Sequence, residues 1–198
     1  MIWIALAVLI AALVAYRIHT RVDVDHLPQT FLVFAVETTG PDPERHEIIE
    51  IGALRVGRDA TVLDSFRSLV KSSATVPVRV TELTGITQLA IDREGKPLSD
   101  VVRAFTAFIG DQPMVGFNSD LGMAFLGNAS RRSGISIANK VSCARKMTNR
   151  AWPERKSQSL SELAKGDKTS GEGQNRALDD CRKVLAVYLA AASRLGEA

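Results

Sequence analysis

Phe31-Leu32-Val33-Phe34-Ala35-Val36-Glu37-Thr38-Thr39-Gly40 is the stretch whose reading decides the fold. An apolar run rich in aromatic and β-branched residues stops abruptly at Glu-Thr-Thr-Gly. That is the pattern of a buried strand presenting one carboxylate at its C-terminal end. In an α/β sheet this end of a strand is where ligand and metal chemistry gathers. Side chains alternate along a strand, so Ala35 and Glu37 share a face. A two-metal site would need a second carboxylate where Ala35 stands.

Working outward, Pro41-Asp42-Pro43-Glu44-Arg45 reads as a turn. Glu47–Val56 and Val62–Val70 read as a strand pair joined by Gly57-Arg58-Asp59-Ala60. Val76–Leu83 predicts a helix stopped by Gly85. Apolar spacing at Val101, Val102, Phe105, Phe108 and Ile109 predicts another over Pro97–Ile109. A short buried strand at Met114–Phe117 leads into a helix over Asp120–Arg132, closed by Ser133-Gly134. Ile135–Val141 predicts a further short strand. Ser142–Arg150 and Leu160–Lys165 predict short helices, Gly166–Gly173 a flexible connection, and Asn175–Leu195 the longest helix, ended by Gly196. Strands first and then strands alternating with helices predict an α/β domain over residues 30–198, with an antiparallel hairpin at the start of its sheet.

The chain has 198 residues, 45% of them hydrophobic and 24% charged, which suits one globular domain with a short appendage and excludes a disordered chain. Two cysteines, Cys143 and Cys181, are too few for a disulfide framework and fit a reducing compartment. Met1–Tyr16 carries no charge and is followed at once by Arg17, His19 and Arg21. As a helix those residues would span about 24 Å. No basic residue precedes the run and no small-residue cleavage site follows it, so a secretory signal does not fit. Residues 1–17 are therefore expected to be a transmembrane anchor and residues 18–29 a linker. The basic flank predicts a single-pass protein at the cytoplasmic membrane with its domain facing the cytoplasm.

Four segments carry a resemblance: Phe-Ala-Val-Glu-Thr-Thr-Gly (34–40), Glu-Leu-Thr-Gly-Ile-Thr (82–87), Val-Gly-Phe-Asn with Phe-Leu seven and eight residues after the Asn (115–126), and Asn-Arg-Ala-Leu-Asp-Asp (175–180). In this order and spacing, over about residues 30–193, the chain resembles the DnaQ-like DEDDh 3′–5′ exonucleases. The resemblance implies a ribonuclease-H-like exonuclease fold, α/β, with a central mixed five-stranded sheet flanked by helices. It also implies a site in which four carboxylates hold two divalent metals and a His acts as general base; two such metals stabilise the entering and leaving oxygens of phosphoryl transfer.

Carried over position by position, the resemblance leaves gaps. The first motif's Asp and Glu fall on Ala35 and Glu37, the second motif's Asp on Gly122, and the third motif's His and Asp on Asn175 and Asp180. Only Glu37 and Asp180 keep the family residue. Mg²⁺ needs several oxygen ligands in near-octahedral array, and an amide at position 175 cannot take a proton from water near neutral pH. Asp120 cannot replace the carboxylate missing at Gly122, because it lies about 200° away round a helix. His46 sits in a turn near the first strand. The sequence thus predicts no resident cofactor, with Mg²⁺ or Mn²⁺ as the ions of any surviving activity. Glu37 has an alternative reading as a cap of local backbone N–H groups, and Asp180 as a simple partner of Arg176.

Charge is uneven. Between Arg131 and Lys168, ten Lys/Arg stand against three Asp/Glu, so this segment carries +7 and the remainder −4 of the net +3. A cationic face of this kind can follow a phosphate backbone, lie on an anionic membrane surface or simply be solvated. The candidate nucleic-acid contacts are Thr38, Thr39 and Asn118 in the motifs, and Arg145, Lys146, Arg155 and Lys156 in the basic segment. Trp152 is the sole aromatic there for stacking. The expected function is a membrane-anchored pseudo-exonuclease that binds single-stranded DNA or RNA, or an unidentified protein partner. A residual metal-dependent exonuclease and a structural subunit of a membrane complex are the alternatives.

Overall fold

In the computed structural model, residues 28–155, 159–164 and 176–196 are described. Strand β1 (Thr30–Thr38) lies at the centre of a five-stranded sheet of order β3-β2-β1-β4-β5. Its central place explains its composition, because a strand covered on both faces needs apolar side chains in both directions. β2 (Ile48–Gly57) pairs antiparallel with β1 and β3 (Val62–Leu69) antiparallel with β2, while β4 (Met114–Gly116) and β5 (Val141–Cys143) continue the sheet in parallel on the other side. The expected mixed α/β sheet is what the structure shows.

The alternation of β1 sorts two cores. Leu32 and Phe34 face α3 (Leu98–Ile109) and α4 (Ser119–Ser133), packing with Val102, Phe105, Ile109, Phe125 and Leu126. Phe31, Val33 and Ala35 face the other way, against Leu178, Cys181, Val184 and Tyr188 of the last helix. Short helices α1 (Val78–Thr84) and α2 (Gln88–Glu94) cover the end of the hairpin, and α5 (Ala144–Ala151) and α6 (Leu160–Leu163) pack near the last helix, α7 (Arg176–Gly196).

Two elements differ from the sequence expectation. The strand expected over 135–141 forms instead at Val141–Cys143. Ser130 and Arg131 first close α4 through Gly134 (φ 66°), and Ile135 bonds back to Ser130, so the chain pairs with β4 only after residue 140. Helix α2 was not expected. Its start is set by Thr87, whose hydroxyl accepts the Ala90 N–H.

The membrane placement is corrected. Among the described residues no helix is long and apolar enough to cross a membrane. The long helix α7 has the length, but Asp179, Asp180, Arg182 and Lys183 occupy its first turns and its apolar face is spent on the sheet. The stretch 1–17 read as an anchor lies outside the described residues, as does the connection 166–173. Neither the single-pass location nor a membrane-surface partner is carried further.

Candidate functional site

Glu37 stands where β1 ends. Its register partner is Glu50 on β2, and the pairing shifts between Glu37 and Thr38 as the strand breaks into its turn. The Thr38 hydroxyl donates to the Gly40 carbonyl (2.7 Å), and the Thr39 hydroxyl accepts the Glu47 N–H (3.0 Å). Gly40 is required by packing: a Cβ there would lie 2.3 Å from the His46 ring. His46 Nδ1 is within 3.1 Å of Asp42 backbone atoms, so the ring is fixed at the rim of the same cavity as Glu37. The two threonines thus serve the turn, and both also line that cavity.

Asp180 comes from the first turns of α7 and meets Glu37 across the helix–sheet contact. Two features let the helix approach so closely. A Cβ on Gly52 of β2 would lie 2.8 Å from the Ala177 backbone carbon, so only glycine fits. Beside it, fully buried Glu50 accepts the Ala177 N–H (2.9 Å) and pairs with Arg67 (2.6 Å), tying the N-terminus of α7 to β2. Burial nevertheless holds the Glu50 carboxyl above its ordinary range, with the Ala177 N–H and Arg67 opposing it. Sequence reasoning passed over Glu50, although a lone acid inside Ile48-Ile49-Glu50-Ile51 is itself a signal of a paired buried charge.

The Asp180 carboxylate is already engaged. Lys183 Nζ lies 3.1 Å and Arg176 Nε 3.6 Å from its Oδ1. The pairing with Arg176 was one expected reading; Lys183, three residues on, was not foreseen. Glu37 is pushed up to about 8, first by burial and then by the negative charge of Asp180, with Arg176 and Lys183 pulling the other way. At neutral pH Glu37 is therefore mostly a neutral acid.

The remaining family positions supply no donor. Ala35 packs into the α7-side core, and Gly122 faces the Phe34 ring, whose Cε2 would lie 3.0 Å from a Cβ at that position. Asp120 points outward to Lys146 (2.8 Å), as its place on the helix predicts. Among the described residues no group of three or more His, Cys, Asp or Glu is arranged to hold a metal. The donor set, two carboxylates of which Asp180 is already hydrogen-bonded to an ammonium, does not fit a pair of divalent ions that each call for several oxygen ligands. Asn175 lies outside the described residues.

Two cavities meet at this point and share Thr38 and Asp180. The larger, about 730 Å³, runs from Glu37 past Arg176 to Arg79, Val80 and Leu83 of α1. The other, about 390 Å³, runs along Ala35, Asn118 and Gly122 to Arg145. Of the expected basic contacts, Arg145 lines the second of these cavities. Lys146 is taken by Asp120, Arg155 lies over the Trp152 ring (5.2 Å), and Lys156 lies outside the described residues. Asn118 makes no side-chain cap to α4 and lines the second cavity. Phe125 is core.

The family model described as RNase_T, exonuclease, matches residues 32–188. The chain belongs to this exonuclease family. It is 30% identical over 165 residues to the DNA polymerase III subunit epsilon of Aquifex aeolicus, covering 82% of this chain and 80% of that protein. It is also 30% identical over 158 residues to the PolC-type DNA polymerase III of Clostridium perfringens, where it spans only 11% of the relative's length. Among solved structures, the nuclease domain of 3'hExo, a DEDDh family member bound to rAMP, superposes with TM-score 0.71 at 20% identity, covering 84% of this chain and 92% of that one. E. coli Exonuclease I in complex with a dT13 oligonucleotide gives TM-score 0.73 at 17% identity, covering 86% and 42%. These structural likenesses establish the fold. The family normally uses Mg²⁺ or Mn²⁺ ions.

Proposed function

We propose that residues 30–198 form a pseudo-exonuclease domain, one that takes single-stranded nucleic acid into the family's cleft and does not hydrolyse it. The observation that carries this reading is the donor set. Ala35 and Gly122 offer no oxygen, and Asp180 is held by Lys183 and Arg176. Asn175 stands where the resemblance puts the base, and a positioned base is worth about 10²–10⁴-fold in rate. The cleft itself persists, with Arg79, Arg145 and Arg176 on its walls to meet phosphates. That Exonuclease I has been seen with an oligonucleotide supports nucleic acid as the occupant.

The test is a gel assay on DNA and RNA single strands labelled at the 5′ end, with Mg²⁺ and with Mn²⁺, alongside anisotropy binding at low salt. Binding without shortening is the expected result. A ladder that disappears in Glu37→Ala would establish a residual nuclease instead. No binding at low salt would turn the domain toward a protein partner.

A further inference from the structure

The carboxylates of this site already face two cations. Glu37 and Asp180 can bring two negative charges. Arg176 and Lys183, one turn to either side of Asp180 on one face of α7, bring two positive ones. The two cations are not alike. Arg176 is 35% exposed and 3.6 Å from the carboxylate, whereas Lys183 is 11% exposed, with its Nζ 3.1 Å from Asp180 Oδ1. A lysine side chain ordinarily keeps its ammonium in water, as Lys146 does at 67% exposure on Asp120. Immobilising the four-carbon stem costs rotamer entropy, and desolvating the ammonium costs more unless it is paired. An ammonium brought inside to this carboxylate is therefore a component of the site.

We infer that the Lys183 ammonium is the resident cation of the Glu37–Asp180 pair, standing on Asp180 in the electrostatic place that divalent ions take in the family and barring them from it. The inference rests on the pseudo-exonuclease reading and names the group responsible. A divalent ion needs a bare carboxylate lone pair at about 2.0–2.1 Å. Here Oδ1 is committed to an N–H donor, and a dication in contact with it would also lie against the ammonium and near the Arg176 guanidinium. A tethered cation also makes the charge of the cleft independent of metal supply.

The experiment deletes the ammonium and asks whether a divalent ion replaces it. Full-length wild type, Lys183→Met and Lys183→Arg are melted in EDTA and in MnCl₂. The expected result is that Mn²⁺ raises the Tm of Lys183→Met by roughly 3 °C or more and leaves the other two unchanged. An equal response in all three, or none in Lys183→Met, overturns the inference. A second comparison titrates Mn²⁺ calorimetrically into Ala35→Asp/Gly122→Asp/Asn175→His with and without Lys183→Met. At least tenfold tighter binding is expected without the lysine, and equal affinity, or no binding in either, overturns the inference. Tight binding of two ions by the wild type would instead remove the pseudo-exonuclease reading.

Discussion

Replacing Glu37 by Gln removes a proton equilibrium that the fold has displaced far from its ordinary place. The carboxyl, ordinarily near 4.5, is pushed up to about 8 by burial and by Asp180, with Glu50 adding to the rise and Arg176 and Lys183 opposing it. Between these two pH values the unfolded chain has released this proton and the folded chain still holds it. The native state then binds more protons, so stability falls as pH rises through the window, by about 1.36 kcal/mol per pH unit. Over the window from 4.5 to about 8 the loss is at most about 5 kcal/mol. Above it both states are ionised and the difference is constant.

Urea unfolding of wild type and Glu37→Gln at half-unit steps from pH 4.5 to 9 reads this directly. Titrations of groups that do not interact with Glu37 are common to both proteins and cancel in the difference curve. The Gln variant should gain on the wild type steadily with rising pH, by several kcal/mol in all. A difference that stays flat across the window, or one that favours the wild type as pH rises, would refute the account of Glu37 as a buried acid kept neutral by its surroundings.

Other substitutions separate the roles of the neighbouring residues. Glu50→Ala removes the carboxylate shared by Arg67 and the Ala177 N–H, and should cost about 3–5 kcal/mol in denaturant unfolding. Gly52→Ala puts a methyl 2.8 Å from the α7 backbone and should cost about 1–3 kcal/mol, with the Glu37 titration moving because Asp180 is displaced. In anisotropy titrations, Arg145→Glu should weaken single-strand binding at least tenfold and lower the salt slope by about 0.7. Lys146→Glu should change binding less, since that ammonium already faces Asp120.

Much of the domain is legible in its sequence. The run Phe31–Glu37 marks the central strand, because six consecutive apolar residues ending in an acid have few other uses, and alternation places Ala35 and Glu37 on one face. What escaped reading depends on contacts between distant segments. Glu50 has meaning only once α7 is laid across β2, 127 residues away in sequence. The late start of β5 escaped because three residues of parallel pairing leave no periodicity to read. Lys183 was within reach, since i and i+3 share a helix face, but a lysine on a long helix ordinarily points to water, and only packing shows that this one does not.

A two-metal site also serves as a strut: ions shared between a strand carboxylate and a helix carboxylate hold the two elements in register. In this chain the same contact is held by other means. Glu50 fastens the first turn of α7, Gly52 lets the helix settle against β2, and Cys181, Val184 and Tyr188 lock the face beyond. Asp180 is thereby brought to Glu37 by packing and by the hydrogen bond from the Ala177 N–H to the Glu50 carboxylate, and the Lys183 ammonium places a positive charge beside it. On the proposed reading, packing that holds helix to sheet without an ion lets the cleft keep its shape although positions 35 and 122 carry no ligand.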